Sequence, residues 1–456
     1  MSNGHAVVCG ASIAGLLAAK VLSEFHRAVT VVERDVLPEL TSQRRGVSQG
    51  QHLHQMLSGG VPYLVESFPG ILDELESAGA IVVHGPDDPA RFHLAVGQTV
   101  FCKTGRLTRS ADMVLVLASR PLLETVIRRR VRAIPHVTFL DGHDVVEPTI
   151  DPTGRVTGVH VVELQTGRDV VLRADLVVDA TGRAARTPAF LQAHGFARPQ
   201  ERRYAIQLSY SSQFFRVAPG AFTEQAVVNA PSLAVPEGAG VLAYEDGTVV
   251  VTVIGLAGRN TPLGQPEFLE SATRFLPAHV GDALRDGQPT GEVFRQRYPA
   301  SVWRRYDKLV RFPPGFLVIG DAVCSFNPVY GQGMTSAAMQ AAALRRCLAA
   351  GTDRLSQRFF GASARRLAPI WWKNRLFDFA IIPSSGWRGR LQKLVNAGLN
   401  EVYSAAVTDV VLTETIFRQM QLLGRPTDIL RPSTLKRVIV RERRQTVRRR
   451  SFWCPR

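Results

Sequence analysis

Six residues near the start of the chain, Gly10-Ala11-Ser12-Ile13-Ala14-Gly15, constrain its fold more than any others. They follow the apolar run Ala6 to Cys9, which reads as a buried strand. They open a stretch in which Ile13, Leu16, Leu17, Val21, Leu22 and Phe25 recur at helical spacing. A second apolar run, Ala28 to Val32, ends at Glu33. Strand, glycine turn, helix and strand make the opening of a βαβ unit. Gly10 lets the chain turn sharply out of the strand, and Gly15 lets the helix pack close on it. The helix N-terminus then offers unpaired N–H groups and a positive dipole end to a pyrophosphate. Glu33, at the tip of the second strand, is placed to accept hydrogen bonds from a ribose. Ser12 stands where the strict fingerprint has glycine, and a residue that small still permits close backbone approach. The pattern points to a dinucleotide without choosing one.

A second block makes that choice. The buried strand Phe316-Leu317-Val318-Ile319 leads into Gly320-Asp321, and the run from Asn327-Pro328 through Gly331-Gln332-Gly333-Met334 opens a helix expected to reach about Ala349. An acid at the end of a buried strand can bind the polyol chain that joins phosphate to flavin. Pro328 and the Gly331/Gly333 pair bring backbone N–H groups and a helix N-terminus towards the ring. That positive end favours the charge that reduced flavin develops at its N1–C2 edge. Between the two blocks, Asp175 to Val178 reads as a strand running into Asp179-Ala180-Thr181-Gly182-Arg183. Tyr210 to Val217 and Gly240 to Leu256 alternate apolar, aromatic and β-branched residues as sheet strands do.

These residues resemble the flavoprotein monooxygenases of the para-hydroxybenzoate hydroxylase fold over most of the chain. Gly10 to Gly15 is similar to their dinucleotide turn, Asp179 to Gly182 to their Asp-Gly element, Gly320-Asp321 to their Gly-Asp element, and Arg120 to their arginine on FAD. The segment Arg44-Arg45-Gly46-Val47-Ser48-Gln49-Gly50-Gln51-His52 and the Pro328 to Met334 turn resemble a narrower branch of squalene-epoxidase-like and polyether-type epoxidases. The fold implied is α/β: a Rossmann-like FAD-binding domain (1–60, 105–185, 310–350), an inserted mixed β-sheet substrate domain (61–104, 186–309), a C-terminal helical region (351–424) and a basic tail (425–456). The resemblance implies an FAD site drawn from Gly10, Ser12, Ile13, Ala14, Gly15, Glu33, Arg34, Arg44, Arg45, Arg120, Val145, Asp179, Gly182, Asp321, Pro328, Gly331, Gly333 and Met334. Arg45 is the candidate beside the ring, with His52 and His54 behind it. The implied reaction is hydroxylation or epoxidation of an apolar small molecule by molecular oxygen through a C4a-hydroperoxyflavin, as in natural-product tailoring. The reductant is NADPH, NADH or a partner reductase.

Other readings are weighed by what they require. A glutathione-reductase-like enzyme needs a second glycine turn and a cysteine pair, and a flavin halogenase carries W-x-W-x-I-P; the sequence has none of these. An FAD-dependent reductase of an isoprenoid-like substrate and a non-catalytic prenyl or lipid carrier of the same fold remain as alternatives. The five cysteines show no C-x-x-C and no metal-ligand spacing, which suits a reducing cytoplasm. The start of the chain does not read as a secretory signal, and no apolar run reaches the roughly 20 residues a spanning helix needs.

A net charge of +16 invites a nucleic-acid reading, but its distribution argues against one. Eleven Arg or Lys lie from Arg425 onward against Asp428 and Glu442, so most of the excess sits in the tail. A tail of this kind suits a solvated end or peripheral contact with anionic lipid better than a nucleic-acid face. The apolar stripe Val395, Leu399, Val402, Ala406, Val410, Phe417, Met420 keeps helical spacing with one gap. It predicts a helix packed on the core and stopped at Gly424.

Overall fold

The computed structural model describes residues 2–439; the tail beyond, from 440 to 456, lies outside the described residues. The chain divides into two compact units. The first takes the chain up to Val82, Val116–Ala205 and Tyr298–Asn374. The second takes Val83–Leu115, Ile206–Arg297 and the described residues from Arg375 on. The expected domain limits fell elsewhere, chiefly in setting 61–82 apart from the cofactor domain and in treating 351–424 as a region of its own.

The first unit is built on a five-stranded parallel sheet in the order Phe316–Val318, Leu176–Asp179, Ser2–Cys9, His26–Val32, Val137–Leu140. Ala6, Val7 and Val8 in its central strand are wholly buried, as a parallel strand covered on both faces must be. Helix Ile13–Ser23 returns from the first strand and packs against helix Gly333–Ala349. A small antiparallel sheet of His143–Ile150, Val156–Glu163 and Asp169–Arg173 completes the unit. Register decides where the motifs meet. Cys9 pairs with Asp179, and Asp179 with Val318, so Gly10, Ala180 and Ile319-Gly320 leave the sheet side by side at its carboxyl edge. That edge is where open α/β sheets bind ligands.

The second unit carries a mixed sheet. Glu201–Arg216, Thr248–Gly255, Glu237–Ala243 and Ala226–Ala230 follow one another, antiparallel where their registers run, and Phe92–Val96 adds parallel to the last. One set of inward side chains, Phe215, Val227, Val241 and Val251, packs with Phe268 of helix Gln265–Thr273 and with Val280 and Leu284 of helix Ala278–Arg285. A second core joins Phe92, Leu94, Phe101 and Met113 to Val402, Leu412, Ile416 and Phe417.

The last four of those residues belong to two helices, Gly386–Ala406 and Val410–Met420. The single stripe read from the sequence therefore breaks between Ala406 and Val410, where its spacing is regular, and not at its gap after Val410. Asp409 ends the first helix's run and caps the second, accepting hydrogen bonds from the N–H groups of Val411 (2.9 Å) and Leu412 (3.2 Å). Glu414, buried in the second of these helices, holds the backbone N–H and the guanidinium of Arg109, which locks the helix onto the loop before Leu115. No helix among the described residues is long and apolar enough to cross a membrane.

Candidate cofactor site

The first turn is a tight backbone assembly. Gly10 has φ +108°, and its N–H donates to the Val32 carbonyl at 2.7 Å. A Cβ on Gly15 would stand 1.8 Å from the Gly10 carbonyl oxygen, and one on Gly320 would stand 2.6 Å from the Ala14 Cβ. The strand–helix crossing and the approach of the third strand end thus both require glycine. Ile13 is buried beneath the turn. Ser12 occupies the N-cap position of helix Ile13–Ser23 but does not cap it; its hydroxyl accepts from Arg120 Nη2 at 2.7 Å. The first N–H groups of that helix therefore have no side-chain partner.

Glu33 is held at the tip of its strand. Its carboxylate accepts from the Ala11 N–H at 2.8 Å and the Asp35 N–H at 3.1 Å, and lies 3.4 Å from Arg44. Arg44 is buried and donates to Glu124 (2.7 Å) and Asp35 (3.0 Å). Burial pushes its pKa down, but Glu124, Glu33 and Asp35 together more than reverse that, so the guanidinium is held charged above its ordinary range. Arg120 lies on the other side of Glu124, 3.4 Å from it, with burial pulling its pKa down against that carboxylate. Arg128, one helical turn further on, approaches the same acid at 3.7 Å. Glu124 is thus the hub of three buried guanidiniums. The sequence reading did not name it, although Arg120, Glu124 and Arg128 at four-residue spacing on one helix carry the signal.

The second turn is open where the first is filled. The Asp321 carboxylate accepts no hydrogen bond from any described residue. Burial pushes its pKa up, opposed by the charges of Arg183, Arg120 and Arg304. Asn327 caps the short turn Pro328–Tyr330 through the Val329 N–H at 3.1 Å, and Gly331 follows at φ +64°. Helix Gly333–Ala349 then starts without a side-chain cap, and Met334 is buried in its first turn. The nearest atom to a Cβ on Gly333 would be Asp321 Oδ1 at 4.0 Å, and to one on Gly331, Leu57 Cδ2 at 4.0 Å. Gln340, a buried residue also not foreseen, fixes the strand end by accepting from the Gly320 N–H at 3.0 Å.

The remaining candidates fall into two groups. Asp179 is taken up locally, accepting from the Thr181 N–H (2.9 Å), the Thr181 hydroxyl (2.6 Å) and the Thr187 hydroxyl, while Gly182 beyond it has φ +78° and open space around it. Val145 is half-buried on strand His143–Ile150, whose first N–H donates to the Glu33 carbonyl at 2.9 Å. Arg34 and Arg45 are exposed and make no hydrogen bond or ion pair among the described residues. His52 and His54 lie on the segment that runs on to Met56, whose sulfur meets the Thr335 hydroxyl in the second helix's first turn. Burial, with His54's charge acting on His52 and Arg120's on His54, drives their pKa values to about 3 and about 4, so both imidazoles are neutral at physiological pH.

Two uncapped helix N-termini, the buried Arg120 guanidinium, a half-buried carboxylate with no hydrogen bond among the described residues and glycines bordering free space fit a flavin dinucleotide. A metal is not what they fit, and no metal-holding cluster of His, Cys, Asp and Glu occurs among the described residues.

Comparison with known proteins agrees with that chemistry. The family model described as an FAD-binding domain matches residues 4–356. Protein Rv3254 of Mycobacterium tuberculosis is 38% identical over 92% of this chain and 90% of its own length. Squalene monooxygenase of Mus musculus is 24% identical over 74% of this chain, which spans 53% of that relative. Among solved structures, p-nitrophenol 4-monooxygenase PnpA of Pseudomonas putida superposes with a TM-score of 0.65 at 18% identity, covering 93% of this chain and 98% of that one. The chain belongs to the FAD-binding domain family and has the fold of its flavin monooxygenases.

Proposed function

We propose that this protein is an FAD-dependent monooxygenase that hydroxylates or epoxidises an apolar small molecule, with NADPH, NADH or a partner reductase as electron source. The observation that carries the reading is the contrast at one sheet edge: a dinucleotide turn closed on itself beside a second turn kept open at Asp321, Gly331 and Gly333. A carrier that only binds lipid has no use for a helix N-terminus and a carboxylate held ready along that second turn. The apolar substrate class is supported by the likeness to a squalene monooxygenase and by the epoxidase-like segment Arg44 to His52.

Bound FAD supplies the activation of oxygen and its transfer to carbon. The chain's own part is binding and electrostatics. The N-terminus of helix Ile13–Ser23 and Arg120 would hold pyrophosphate charge, Glu33 would accept from ribose, and Asp321 would accept from the polyol. The N-terminus of helix Gly333–Ala349 would favour negative charge at the ring. Neutral His52 and His54 leave the positive charge of that region to its arginines. Arg45, exposed on the same segment as Arg44, is the side chain proposed beside the ring.

The test is to supply the reduced holoenzyme with polyene, terpenoid and aromatic candidates under isotopically labelled oxygen and to weigh the products. One labelled oxygen atom per product is expected. A product that gains two hydrogens and no label makes the protein a reductase, and a purified protein that takes up no FAD makes it a carrier.

A further inference from the structure

The helix Gly386–Ala406 is built inside out along its first half. Its inner contacts are made by amides: Gln392 Nε2 donates to the carbonyls of Phe379 and Ile382, both at 2.6 Å, Gln392 Oε1 accepts from the Ser384 N–H at 3.1 Å, and Asn396 donates to the Ala380 carbonyl at 2.8 Å. The opposite stripe, at positions i, i+4 and i+7, is Trp387, Leu391 and Leu394, which are 67%, 45% and 70% exposed. A helix that packs only on its own protein puts such a stripe inward. Here the polar side is bolted down and the apolar side is left uncovered.

Charge says what covers it. Arg388, Arg390 and Lys393 are exposed along the same stretch, and none of them pairs with a carboxylate among the described residues. No acid occurs between Asp378 and Glu401. A second copy of the chain would bring this cationic face against its own like, in a protein of net charge +16. An anionic lipid surface meets both halves of the pattern, because Trp and Leu bury at the headgroup level while Arg and Lys meet the phosphates. We infer that Trp387, Leu391 and Leu394, flanked by Arg388, Arg390 and Lys393, form a docking face for an anionic membrane surface, lying on it rather than crossing it. The inference is independent of the redox reading.

The full-length holoprotein should co-sediment with vesicles of phosphatidylcholine mixed with phosphatidylglycerol far better than with phosphatidylcholine alone. Replacing Trp387, Leu391 and Leu394 together by Ser keeps every charge, and should weaken that partition at least about tenfold with FAD content and melting temperature unchanged. Replacing Arg388, Arg390 and Lys393 together by Gln should weaken it by roughly tenfold to a hundredfold and reduce its salt dependence. If the Ser variant does not fold, the Gln variant decides. Binding as strong as the parent's in the variants that fold would assign the attraction to the basic tail and overturn the inference. So would a parent that ignores both vesicles, whether it is monomeric or forms a dimer that the Ser variant abolishes.

Discussion

The two glycine-bearing turns at the carboxyl edge of the parallel sheet each lead into a helix but behave differently in space. Around the first, the acid is held by the protein and both glycines are pressed against backbone: Glu33 accepts from Ala11 and Asp35, Gly10 meets Ala180, and Gly15 lies under Gly10. Around the second, Asp321 accepts no hydrogen bond from any described residue, and Gly331 and Gly333 border space. The first is a finished piece of fold on which a ligand rests. The second is a set of groups left for a ligand to complete. Substitutions in the first should therefore cost folding, and those in the second should cost binding alone.

The largest effect is expected at Gly15→Val. A Cβ placed 1.8 Å from the Gly10 carbonyl oxygen must drive the helix off the strand, costing at least about 3 kcal/mol. Thermal melting of the apoprotein and soluble yield measure it; a variant that melts like the parent would break the contrast at its firm end. Next comes Glu124→Gln. It strips the carboxylate from three buried guanidiniums, Arg44, Arg120 and Arg128, and should destabilise by about 3 kcal/mol before any cofactor is added.

Asp321→Ala tests the other turn. It should weaken FAD binding by about 1.5 to 3 kcal/mol, on the order of tenfold to a hundredfold, as read by flavin fluorescence titration. The melting temperature of the apoprotein should hold or rise slightly, because a half-buried carboxylate that accepts no hydrogen bond among the described residues has gone. An equal loss of apoprotein stability would show that the second turn, too, is structural. The smallest effect is expected at Ser12→Gly. That change removes the hydroxyl that Arg120 Nη2 holds at 2.7 Å and moves the turn towards the strict fingerprint. FAD affinity should shift by less than about tenfold, and a complete loss would mean that Arg120 is positioned through Ser12.

Much of this was legible because it is local. Strand Ser2–Cys9, helix Ile13–Ser23, strand Leu176–Asp179 and helix Gly333–Ala349 all appear within a few residues of where periodicity and glycine spacing put them. The hub at Glu124 was not, since one of its partners, Arg44, is 80 residues away and four-residue spacing does not announce burial. Asp179 read as a ligand-facing acid from its motif, whereas Thr181 and Thr187 surround it in the fold. The stripe from Val395 to Met420 read as one helix, because Ala406 and Val410 keep the four-residue spacing across the break that Asp409 caps.

By itself, then, the sequence determined which segments are strands and helices, which turns need glycine, and that the chemistry is that of a flavin dinucleotide. These depend on backbone sterics and on side chains a few residues apart, which any window of the chain contains. Only the tertiary structure decided that the three strand ends stand in register at one edge, that Glu33 is held and Asp321 is free, and that Gln392 rather than Leu391 faces inward on its helix. Burial and the identity of a distant partner set those outcomes, and neither exists until the chain has packed.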